Sequence, residues 1–489
     1  MGDVVRDLPL ALHEEGWQST VLTPSYGMFH KLPGAVRLES IDVAFGDALE
    51  TVAVYTVPGG DAQIRNVVFE HAGFAPAGPD QIYNNDAPGR PFETDASKFA
   101  LFGAAAAAWV AQLDESPDVV HLHDWHTAIY LLLREFSDEH DVLRGIRTVF
   151  TIHNLSYQGT RPLRGHKSSL ESWFPDLEYD AAVTDPAHTD CINPMAMAIR
   201  LADKVGTVSP TYAEEICRPS EPAHGFVGGE GLEQLLSAAQ DAGRLVGILN
   251  GCYYEGPRGR RPGWQKILDI ATDQLNDWPD TETHRVARKT LAELPKRRPR
   301  NVLTSVGRLV RQKASLFFEQ LPDGRTALET ILQDMGSAGV LVVLGSGEAD
   351  YERQMHDVAK TNHNLLFLCG YSETLAAPLY RAGDLFLMPS SFEPCGISQM
   401  LAMRAMQPCV VHSVGGLKDT VKDGRTGFVF DGESPQQQAV AFVDAVARAL
   451  DLKSTHNDKW QQICIRAASA RFSWSKSAQQ TIEMMYEPA

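Results

Sequence analysis

The most constraining feature of this sequence is a series of short apolar segments, each ending at polar or glycine residues, that recurs in both halves of the chain. The first half contains "NVVFEH", "DVVHLH", "TVFTIHN" and "KVGTVS", and the second contains "RNVLTSVGRL", "GVLVVLGSG", "DLFLMPS" and "PCVVHSVGG". Near-continuous apolar strands alternating with helices are typical of parallel sheets covered on both faces. The sequence therefore predicts an α/β protein with two doubly wound Rossmann-like domains facing each other across a cleft. Ligands of such sheets bind beyond the carboxyl ends of the strands.

The chain of 489 residues is long enough for two or three domains. Proline, glycine and arginine are concentrated in "EGPRGRRPGWQKILDI" and "ELPKRRPRN", a composition typical of a connection between domains. These features predict an N-terminal domain over 1–255, an inter-domain connection over 256–298 and a C-terminal domain over 299–470. Residues 471–489 are predicted to form a helix that returns to the N-terminal domain.

Composition excludes several classes of partner. The formal net charge of −18 disfavours nonspecific nucleic-acid binding, which needs a basic surface. The longest apolar run, Phe99–Leu113, is shorter than the ~20 residues of a membrane span and is predicted to be a buried helix. Seven scattered cysteines favour a reducing compartment over a disulfide framework. We therefore expect a cytoplasmic protein without a signal peptide that binds neither nucleic acid nor a membrane.

The first residues predict a helix rather than a strand. Val4, Leu8, Ala11 and Leu12 fall at i, i+4, i+7 and i+8, the spacing of one buried helix face. The β-branched segment "STVLTP" that follows is predicted to be a strand. The chain therefore begins on a helix that no strand precedes.

The segment "LFLMPSSFEPCGISQMLAM" contains the most informative candidate site. A strand is predicted to end near Met388, a loop presents Glu393, and a helix begins around Ile397 and Ser398. Pro394 and Gly396 hold the turn, which leaves backbone N–H groups free to bind an anion or a sugar hydroxyl. Alternatively, Glu393 is a solvated loop acid and Ser398 an ordinary N-cap.

Two cations follow a strand in "SVGRLVRQKA". Arg308 lies at the predicted strand end, and Lys313 follows five residues later. Two cations in that place suit a diphosphate whose negative charge grows as it departs. The alternative is a solvated basic loop.

Further polar residues follow strands of the first half. The segment "HLHDWHTA" places Asp124 and Trp125 at a strand end, "FTIHN" does the same for His153, and "GILNG" for Asn250. A zinc site is conceivable from the pair His121 and His123, but no further ligand follows at a suitable spacing. In the second half, Gly415 and Gly416 of "SVGGLKDTV" permit close backbone approach to a ligand.

Taken in order, these segments resemble the bacterial glycogen synthases and plant starch synthases. The resemblance runs over nearly the whole chain and rests on "HLHDWHT", "TIHNLSYQG", "ADKVGTVSPTYAEEI", "GILNG", "SVGRLVRQK", "DLFLMPSSFEPCGISQMLAMR", "VGGLKDTV" and the terminal "FSWSKSA". That family consists of ADP-glucose-dependent glucosyltransferases with the two-domain GT-B fold. The resemblance implies an acceptor-side N-terminal domain and a nucleotide-sugar-binding C-terminal domain. It implies retaining transfer of glucose from ADP-glucose to the nonreducing end of an α-1,4-glucan such as glycogen, with no cofactor and no required metal, and it leaves the oligomeric state open.

The resemblance also implies roles for individual residues. Arg308 and Lys313 would hold the diphosphate, Glu393 the donor glucose, and His153 would lie close to the anomeric carbon. The remaining predicted substrate-binding residues are Asp124, Trp125, Asn250, Tyr371 (beside the adenine), Cys395, Gly396, Ile397, Ser398, Gly415 and Gly416. On this basis, truncation of Lys313 or Glu393 is expected to abolish transfer with little effect on folding.

The largest departure from the family lies at the start. Family members begin with a strand and a Lys-x-Gly-Gly loop before "GDVV", whereas here Met1 stands directly before Gly2 and Asp3. We therefore expect an N-terminally truncated form that lacks the first strand and the loop lysine, with an impaired N-terminal domain and reduced activity. Two alternatives remain: an inactive or impaired paralogue that binds glucan or nucleotide, and a GT-B glycosyltransferase with another donor.

Overall fold

A computed structural model describes residues 2–59, 63–84, 86–87, 92–254 and 261–487. Met1 and the predicted domain boundary at 255 lie outside these residues. No helix in the described ranges is both long and apolar enough to cross a membrane. The seven cysteines are all free thiols.

The N-terminal half contains seven helices and ten strands within the described residues. The helices are α1 (Gly2–Glu14), α2 (Glu93–Ala111), α3 (Ile129–Phe136), α4 (Leu170–Trp173), α5 (Pro194–Leu201), α6 (Pro210–Glu215) and α7 (Glu233–Asp241). The strands are β1 (Thr20–Pro24), β2 (Val36–Phe45), β3 (Ala48–Val57), β4 (Arg65–Glu70), β5 (Val119–His123), β6 (Arg147–Ile152), β7 (Arg161–Pro162), β8 (Cys191–Ile192), β9 (Lys204–Thr207) and β10 (Leu245–Gly247).

Two four-stranded sheets share the core of this half, where the sequence predicted parallel sheets. The order β10-β9-β6-β5 is parallel throughout, as predicted. The order β1-β4-β3-β2 is mixed, because β3 is antiparallel to both β2 and β4. Strands β2 and β3 are joined by a tight turn at Gly46, and such a connection can only link antiparallel strands. The expectation of parallel pairing was therefore wrong for the segment "AVYTVP" of β3, and β2 was not predicted.

Strands β1 and β5 are edges of separate sheets. β1 pairs only with β4 and β5 only with β6, and no strand in the described ranges joins the two edges. The long helix α2, which the apolar run predicted, is buried along most of its length and packs in one core with residues of both sheets. In the N-terminal half, β1 and β5 are therefore edge strands that each pair on one side only, and helix α2 packs in the core that the two sheets share.

The helix predicted at the start of the chain is confirmed as α1. Its four periodic residues, Val4, Leu8, Ala11 and Leu12, are buried in one cluster with the last helix of the chain. That helix, α18 (Trp474–Thr481), continues into a π-helical turn at Ile482–Tyr486. Each fully buried aliphatic side chain contributes about 1.5–3 kcal/mol. The two ends of the chain thus stabilise each other on the N-terminal half.

The C-terminal half contains the remaining ten helices and six strands of the described residues. The helices are α8 (Trp264–Asp277), α9 (Glu282–Glu293), α10 (Arg311–Phe318), α11 (Ala327–Met335), α12 (Ala349–Thr361), α13 (Glu373–Ala382), α14 (Ser398–Arg404), α15 (Gly415–Thr420), α16 (Pro435–Thr455) and α17 (Asn457–Ser469). The strands are β11 (Asn301–Val306), β12 (Gly339–Leu344), β13 (Leu365–Leu368), β14 (Leu385–Met388), β15 (Cys409–His412) and β16 (Phe428–Phe430).

The C-terminal sheet is fully parallel, with the order β13-β12-β11-β14-β15-β16. Strands β12 and β13 are added in turn on one side of β11, and β14, β15 and β16 are then added on the other side. This doubly wound order is the one predicted. It creates a switch point between β11 and β14, where the loops after the two strands diverge and leave a crevice for a ligand.

The stretch predicted to be an inter-domain connection is largely part of the C-terminal half. Its helices α8 and α9 lie within 256–298, and Trp264, Ile267 and Leu268 are buried in one cluster with Val302 of β11. The proline and arginine content masked an amphipathic helix pattern in "WQKILDIATDQL". The connection is therefore shorter than predicted.

Candidate active site

The crevice at the switch point of the C-terminal sheet is bordered by two predicted segments. Gly307 and Arg308 follow β11, and the loop 389–397 follows β14, ending where α14 begins at Ser398. Strand β14 ends at the predicted Met388, and β11 ends at Val306, two residues before the predicted Arg308. The side chains that these two segments present therefore meet at the same edge of the sheet.

An ion pair joins the two segments. Lys313 Nζ lies 2.8 Å from Glu393 Oε2, and the Ser390 hydroxyl donates to the same oxygen at 3.0 Å. The side chain of Glu393 is 7% exposed and that of Lys313 is 22% exposed. Glu393 is therefore not a solvated loop acid. Removal of Lys313 would leave a buried carboxylate without its cation, so we now expect this truncation to lower stability as well as transfer.

The loop that carries Glu393 is fixed to its neighbours by backbone contacts. Gln312 Nε2 donates to the Phe392 carbonyl at 3.0 Å, and the Gly416 N–H donates to the Glu393 carbonyl at 3.0 Å. A Cβ on Gly415, whose φ is +41°, would lie 2.1 Å from the Glu393 carbonyl oxygen. The sequence predicted that this glycine permits close approach to a ligand, and the structure shows close approach to the Glu393 loop.

Arg308 follows β11 and Gly307 at the edge of the sheet that carries the crevice. It is exposed, and the aliphatic stem of Lys313 lies beside the preceding Gly307. Across the cleft, burial raises the pKa of Tyr83 to about 12, and the charge of Arg308 opposes that rise. Arg308 is therefore an exposed cation at the edge of the sheet where the crevice lies.

His153 is held on the opposite wall by Asp124 and His123. Asp124, with a φ of +56°, accepts the His153 backbone N–H on Oδ1 at 2.7 Å. His153 Nε2 lies 3.1 Å from His123 Nδ1. Burial and the neighbouring His123 hold the pKa of His153 well below its usual value, and burial raises the pKa of Asp124 to about 6. His153 is therefore a neutral imidazole, and Asp124 braces the turn that presents it.

Trp125 and Asn250 differ in their access to the cleft. Trp125 is 3% exposed, and its ring packs against Phe92, Phe99 and the backbone of Gly159. Its surroundings are those of a core residue. Asn250 is half-buried and lies beside the thiol of Cys395. Burial raises the pKa of that thiol to about 12, and the backbone of Asn250 opposes the rise.

The other predicted residues of the C-terminal half lie around the Glu393 loop. Tyr371 follows β13, is 77% exposed, and donates to Glu373 at 2.8 Å. Gly396 has a φ of +75°, which suits glycine at the turn before α14. The Ser398 hydroxyl lies 3.0 Å from that of Tyr380, and Ile397 occupies the N-cap position, so the reading of Ser398 as an ordinary N-cap was wrong.

No group of three or more His, Cys, Asp or Glu in the described part of the chain has an arrangement that could hold a metal ion. His121 and His123 instead stack at 4.2 Å, and His121 Nε2 lies 2.7 Å from the Thr151 hydroxyl. The site therefore presents a cationic couple, a buried carboxylate and a neutral imidazole on two facing walls.

Comparison with known proteins relates this geometry to a family. The starch synthase catalytic domain family matches residues 1–238, and the glycosyl transferases group 1 family matches residues 300–451. The glycogen synthase of Streptococcus equi subsp. equi is 34% identical over 500 residues, which cover 98% of this chain and 94% of that protein. The chain belongs to the glycogen synthase family. The glycogen synthase of Gloeobacter violaceus, at 33% identity over 99% of this chain and 94% of its own length, supports the same assignment.

Solved structures extend the match to the fold. The catalytic domain of starch synthase IV from Arabidopsis thaliana, bound to ADP and acarbose, has a TM-score of 0.77 and 26% sequence identity, covering 99% of this chain and 94% of that one. A sucrose-phosphate synthase from Thermosynechococcus elongatus shares the fold at a TM-score of 0.57 and 17% identity, covering 99% of this chain and 92% of that one. This member of the glycogen synthase family is a glycosyltransferase with the GT-B fold, as the resemblance predicted.

Sequence reasoning missed the contacts by which this glycogen synthase family member joins its halves at the Glu393 loop. The Ser209 hydroxyl donates to the Pro394 carbonyl at 2.6 Å, and Glu215 accepts the Gly415 N–H at 2.9 Å. Burial raises the pKa of Glu215 to about 7, although the bond from Gly415 opposes the rise. Ser209 is the N-cap of the short helix α6, and Glu215 is the last residue of that helix. The segment "SPTYAEE" shows a helix start but gives no sign of a partner about 200 residues away.

Proposed function

We propose that the protein transfers glucose from ADP-glucose to the nonreducing end of an α-1,4-glucan, with retention of configuration and without a metal or cofactor. The observation that carries this proposal is the pairing of Lys313 with Glu393 at the sheet's switch point, with Arg308 beside it and His153 on the facing wall. The likeness to a starch synthase solved with ADP and acarbose supports the choice of donor and acceptor.

In this proposal, the cationic couple stabilises the departing diphosphate. Arg308 is exposed, and the partly buried ammonium of Lys313 is bonded to the buried carboxylate of Glu393. A hydrogen bond to a charged group contributes about 1.5–3 kcal/mol net, and more in the transition state, where the leaving oxygens gain negative charge. Lys313 already bonds to Glu393, so a diphosphate would share an ammonium whose position is fixed before the donor arrives.

Glu393 and His153 would act on the donor glucose. The carboxylate of Glu393 can accept sugar hydroxyls through the oxygen that Lys313 does not hold, since the recorded bonds of the side chain all go to Oε2. The imidazole of His153 is neutral, so it can donate a hydrogen bond near the anomeric carbon without adding positive charge there. Asp124 would act indirectly, by fixing the backbone of His153.

The remaining assignments follow from the same proposal. Tyr371 would flank the adenine, and the backbone around Gly396, Ile397 and Ser398 would contact the donor. Asn250 would line the acceptor side. We further propose that the protein acts in the cytoplasm, where glucan and nucleotide sugar are available, and that its acidic surface does not bind nucleic acid.

The test is release of ADP by the purified chain from ADP-glucose in the presence of glycogen. We expect turnover that depends on both substrates and falls by at least about a hundredfold in Glu393→Gln, which keeps the shape of the side chain but loses its charge. Proton NMR of the product should show new α-linked glucose. A β-linked product, or an unchanged rate in Glu393→Gln, would contradict the proposal.

The same assay separates the two alternatives. A paralogue that only binds would show saturable affinity for ADP-glucose or glycogen in calorimetry and no ADP release. An enzyme with another donor would be inactive with ADP-glucose and active with UDP-glucose under identical conditions.

A further inference from the structure

A second large cavity lies on the C-terminal half, at the edge of the sheet opposite the candidate active site. Its volume is about 1060 Å³, and its floor includes Arg300, Gly383 and Asp384, which directly precede β11 and β14. Gly307 and Arg308 lie at the other end of β11, so a strand of six residues, about 20 Å long, separates the cavity from the cationic couple. The cavity shares no lining residue with the proposed donor site.

The lining of this cavity is strongly cationic. The described residues that line it include seven arginine and lysine side chains but only two carboxylates, Asp384 and Glu373. The chain as a whole has the opposite balance, with 62 acidic and 44 basic residues. Such a concentration of positive charge in a concave, partly desolvated site creates a local attraction for anions despite the net negative charge of the protein.

Three of the seven cations are already fixed by one carboxylate. Asp384 lies 2.6 Å from Arg261, 2.9 Å from Arg298 and 3.0 Å from Lys453. Although burial opposes the effect, these three cations hold the pKa of Asp384 below its usual value. One carboxylate cannot neutralise three cations, so this wall retains positive charge.

The other four cations have no carboxylate partner among the described residues. Arg404 donates to the Tyr253 carbonyl, and Arg471 donates to the Ala468 carbonyl and lies over the ring of Tyr254. Arg300 and Arg381 make no recorded side-chain bond within the described ranges. Arg381 and Arg404 lie in the last turns of α13 and α14, where the helix dipole favours a cation. The helix dipole explains why Arg381 and Arg404 each lie at the end of a helix. It does not explain why both line the same cavity as Arg300 and Arg471.

The cavity also lies where the chain passes between the two halves. Tyr254 and Arg261 border it at the first crossing, and Ala468 and Arg471 at the second, between α17 and α18. The two crossings contact each other there, since the Phe472 N–H donates to the Tyr254 hydroxyl at 3.0 Å. A molecule that bound here would contact both crossings at once.

We propose that this cavity is a second binding site, for a small polyanion with two or more phosphoryl groups. Guanidinium groups bind phosphoryl oxygens through two parallel hydrogen bonds, and a single negative charge would not balance the lining. The volume lies at the upper end of the range for small-molecule sites, so the ligand is a metabolite-sized anion rather than a macromolecule. By joining both crossings, the bound anion restrains the movement of one half relative to the other.

The proposal goes beyond glucosyl transfer and is tested separately from it. Inorganic tripolyphosphate serves as the probe, and its binding is measured by isothermal titration calorimetry at physiological ionic strength, where nonspecific attraction is screened. The test variant is Arg300→Ala/Arg381→Ala, since neither side chain makes a recorded bond whose loss would disturb the fold. The matched control is Arg466→Ala, which removes an exposed arginine of α17 outside the cavity. A second control, Arg308→Ala, removes a cation of the proposed donor site.

The titration is made with saturating ADP, which occupies the proposed donor site. We then expect one tripolyphosphate to bind per chain, with a Kd that rises at least about tenfold in Arg300→Ala/Arg381→Ala, since two charge-assisted contacts are lost. The Kd should be unchanged in Arg308→Ala and Arg466→Ala. No binding, equal binding by all variants, or a loss confined to Arg308→Ala would overturn the proposal; the last outcome would place the anion in the donor site.

Hydrogen exchange of the unaltered protein provides a second measurement that needs no variant. Tripolyphosphate should slow exchange around Arg300, along α13 and around Arg471. Protection confined to the loops around Arg308 and Glu393 would also overturn the proposal. Failure of glucosyl transfer would leave both measurements interpretable, since neither depends on turnover.

Discussion

Replacement of Lys313 by methionine would test the ion pair with Glu393 in stability and in transfer at once. Methionine keeps the length and apolar stem of the side chain and removes only the ammonium. In the parent protein that ammonium lies 2.8 Å from a carboxylate whose side chain is 7% exposed. The Ser390 hydroxyl, at 3.0 Å, would be the remaining recorded donor to Glu393 in the variant.

The size of the effect follows from this environment. A hydrogen bond between charged groups contributes about 1.5–3 kcal/mol, and the 22% exposure of Lys313 favours the middle of that range. A loss of about 2 kcal/mol corresponds to a fall of about 4–8 °C in Tm for a domain of this size. Transfer should fall further, by about 10²–10³, because the variant also lacks a charge that stabilises the leaving diphosphate.

The measurement is a double-mutant cycle of Lys313→Met, Glu393→Gln and the double variant. Thermal unfolding and the rate of ADP release are measured for each protein. Glutamine at 393 is neutral and can still bond to Ser390, so the double variant should be more stable than Lys313→Met alone. A coupling of about 1 kcal/mol or more is expected for directly bonded side chains. If Lys313→Met unfolds at the parental temperature, or if the two changes are additive in stability, the ion pair does not stabilise the Glu393 loop and the reasoning fails.

Two further changes test other parts of the same loop. Burial raises the pKa of Glu215 to about 7, so between pH 4.5 and 7 the folded state binds more protons than the unfolded state. The free energy of unfolding should therefore decrease as pH rises through that range, by up to about 3 kcal/mol, and Glu215→Gln should flatten this slope in urea titrations. Gly415→Ala would place a Cβ 2.1 Å from the Glu393 carbonyl oxygen and should lower kcat at least about tenfold. Gly424→Ala is its matched control in ADP release, since that glycine also has a positive φ, of +64°, but nothing lies within 4 Å of the added carbon; equal loss in both variants would assign the effect to backbone strain alone.

The sequence predicted those elements whose pattern is local. The four periodic apolar residues of α1 are buried on one face, and the strands β11 and β14 end where polar residues begin. These are consequences of helix and strand periodicity, which a single segment contains in full. The apolar run of α2 was equally clear, because a helix buried on nearly all sides needs few polar residues.

The features that sequence did not predict depend on distant partners. Lys313 and Glu393 are 80 residues apart, and nothing in either segment shows that they bond to each other. The antiparallel pairing of β2 with β3 was not predicted, because an apolar strand pattern does not show in which direction the strand pairs. Helices α8 and α9 were masked by flanking proline and arginine, which resemble a connection in composition but not in periodicity.

The contacts around Glu393 connect the reaction site to the arrangement of the two halves. The Glu393 loop and the α15 glycines beside it are held from the N-terminal half, since the Ser209 hydroxyl donates to the Pro394 carbonyl and Glu215 accepts the Gly415 N–H. A rotation of one half against the other must therefore either break these bonds or move the Glu393 carboxylate relative to Lys313. The Glu393 loop is held by α10, by the glycines of α15 and by the N-terminal half. Its observed position therefore depends on the N-terminal half. These three contacts explain how a loop can hold a buried charge.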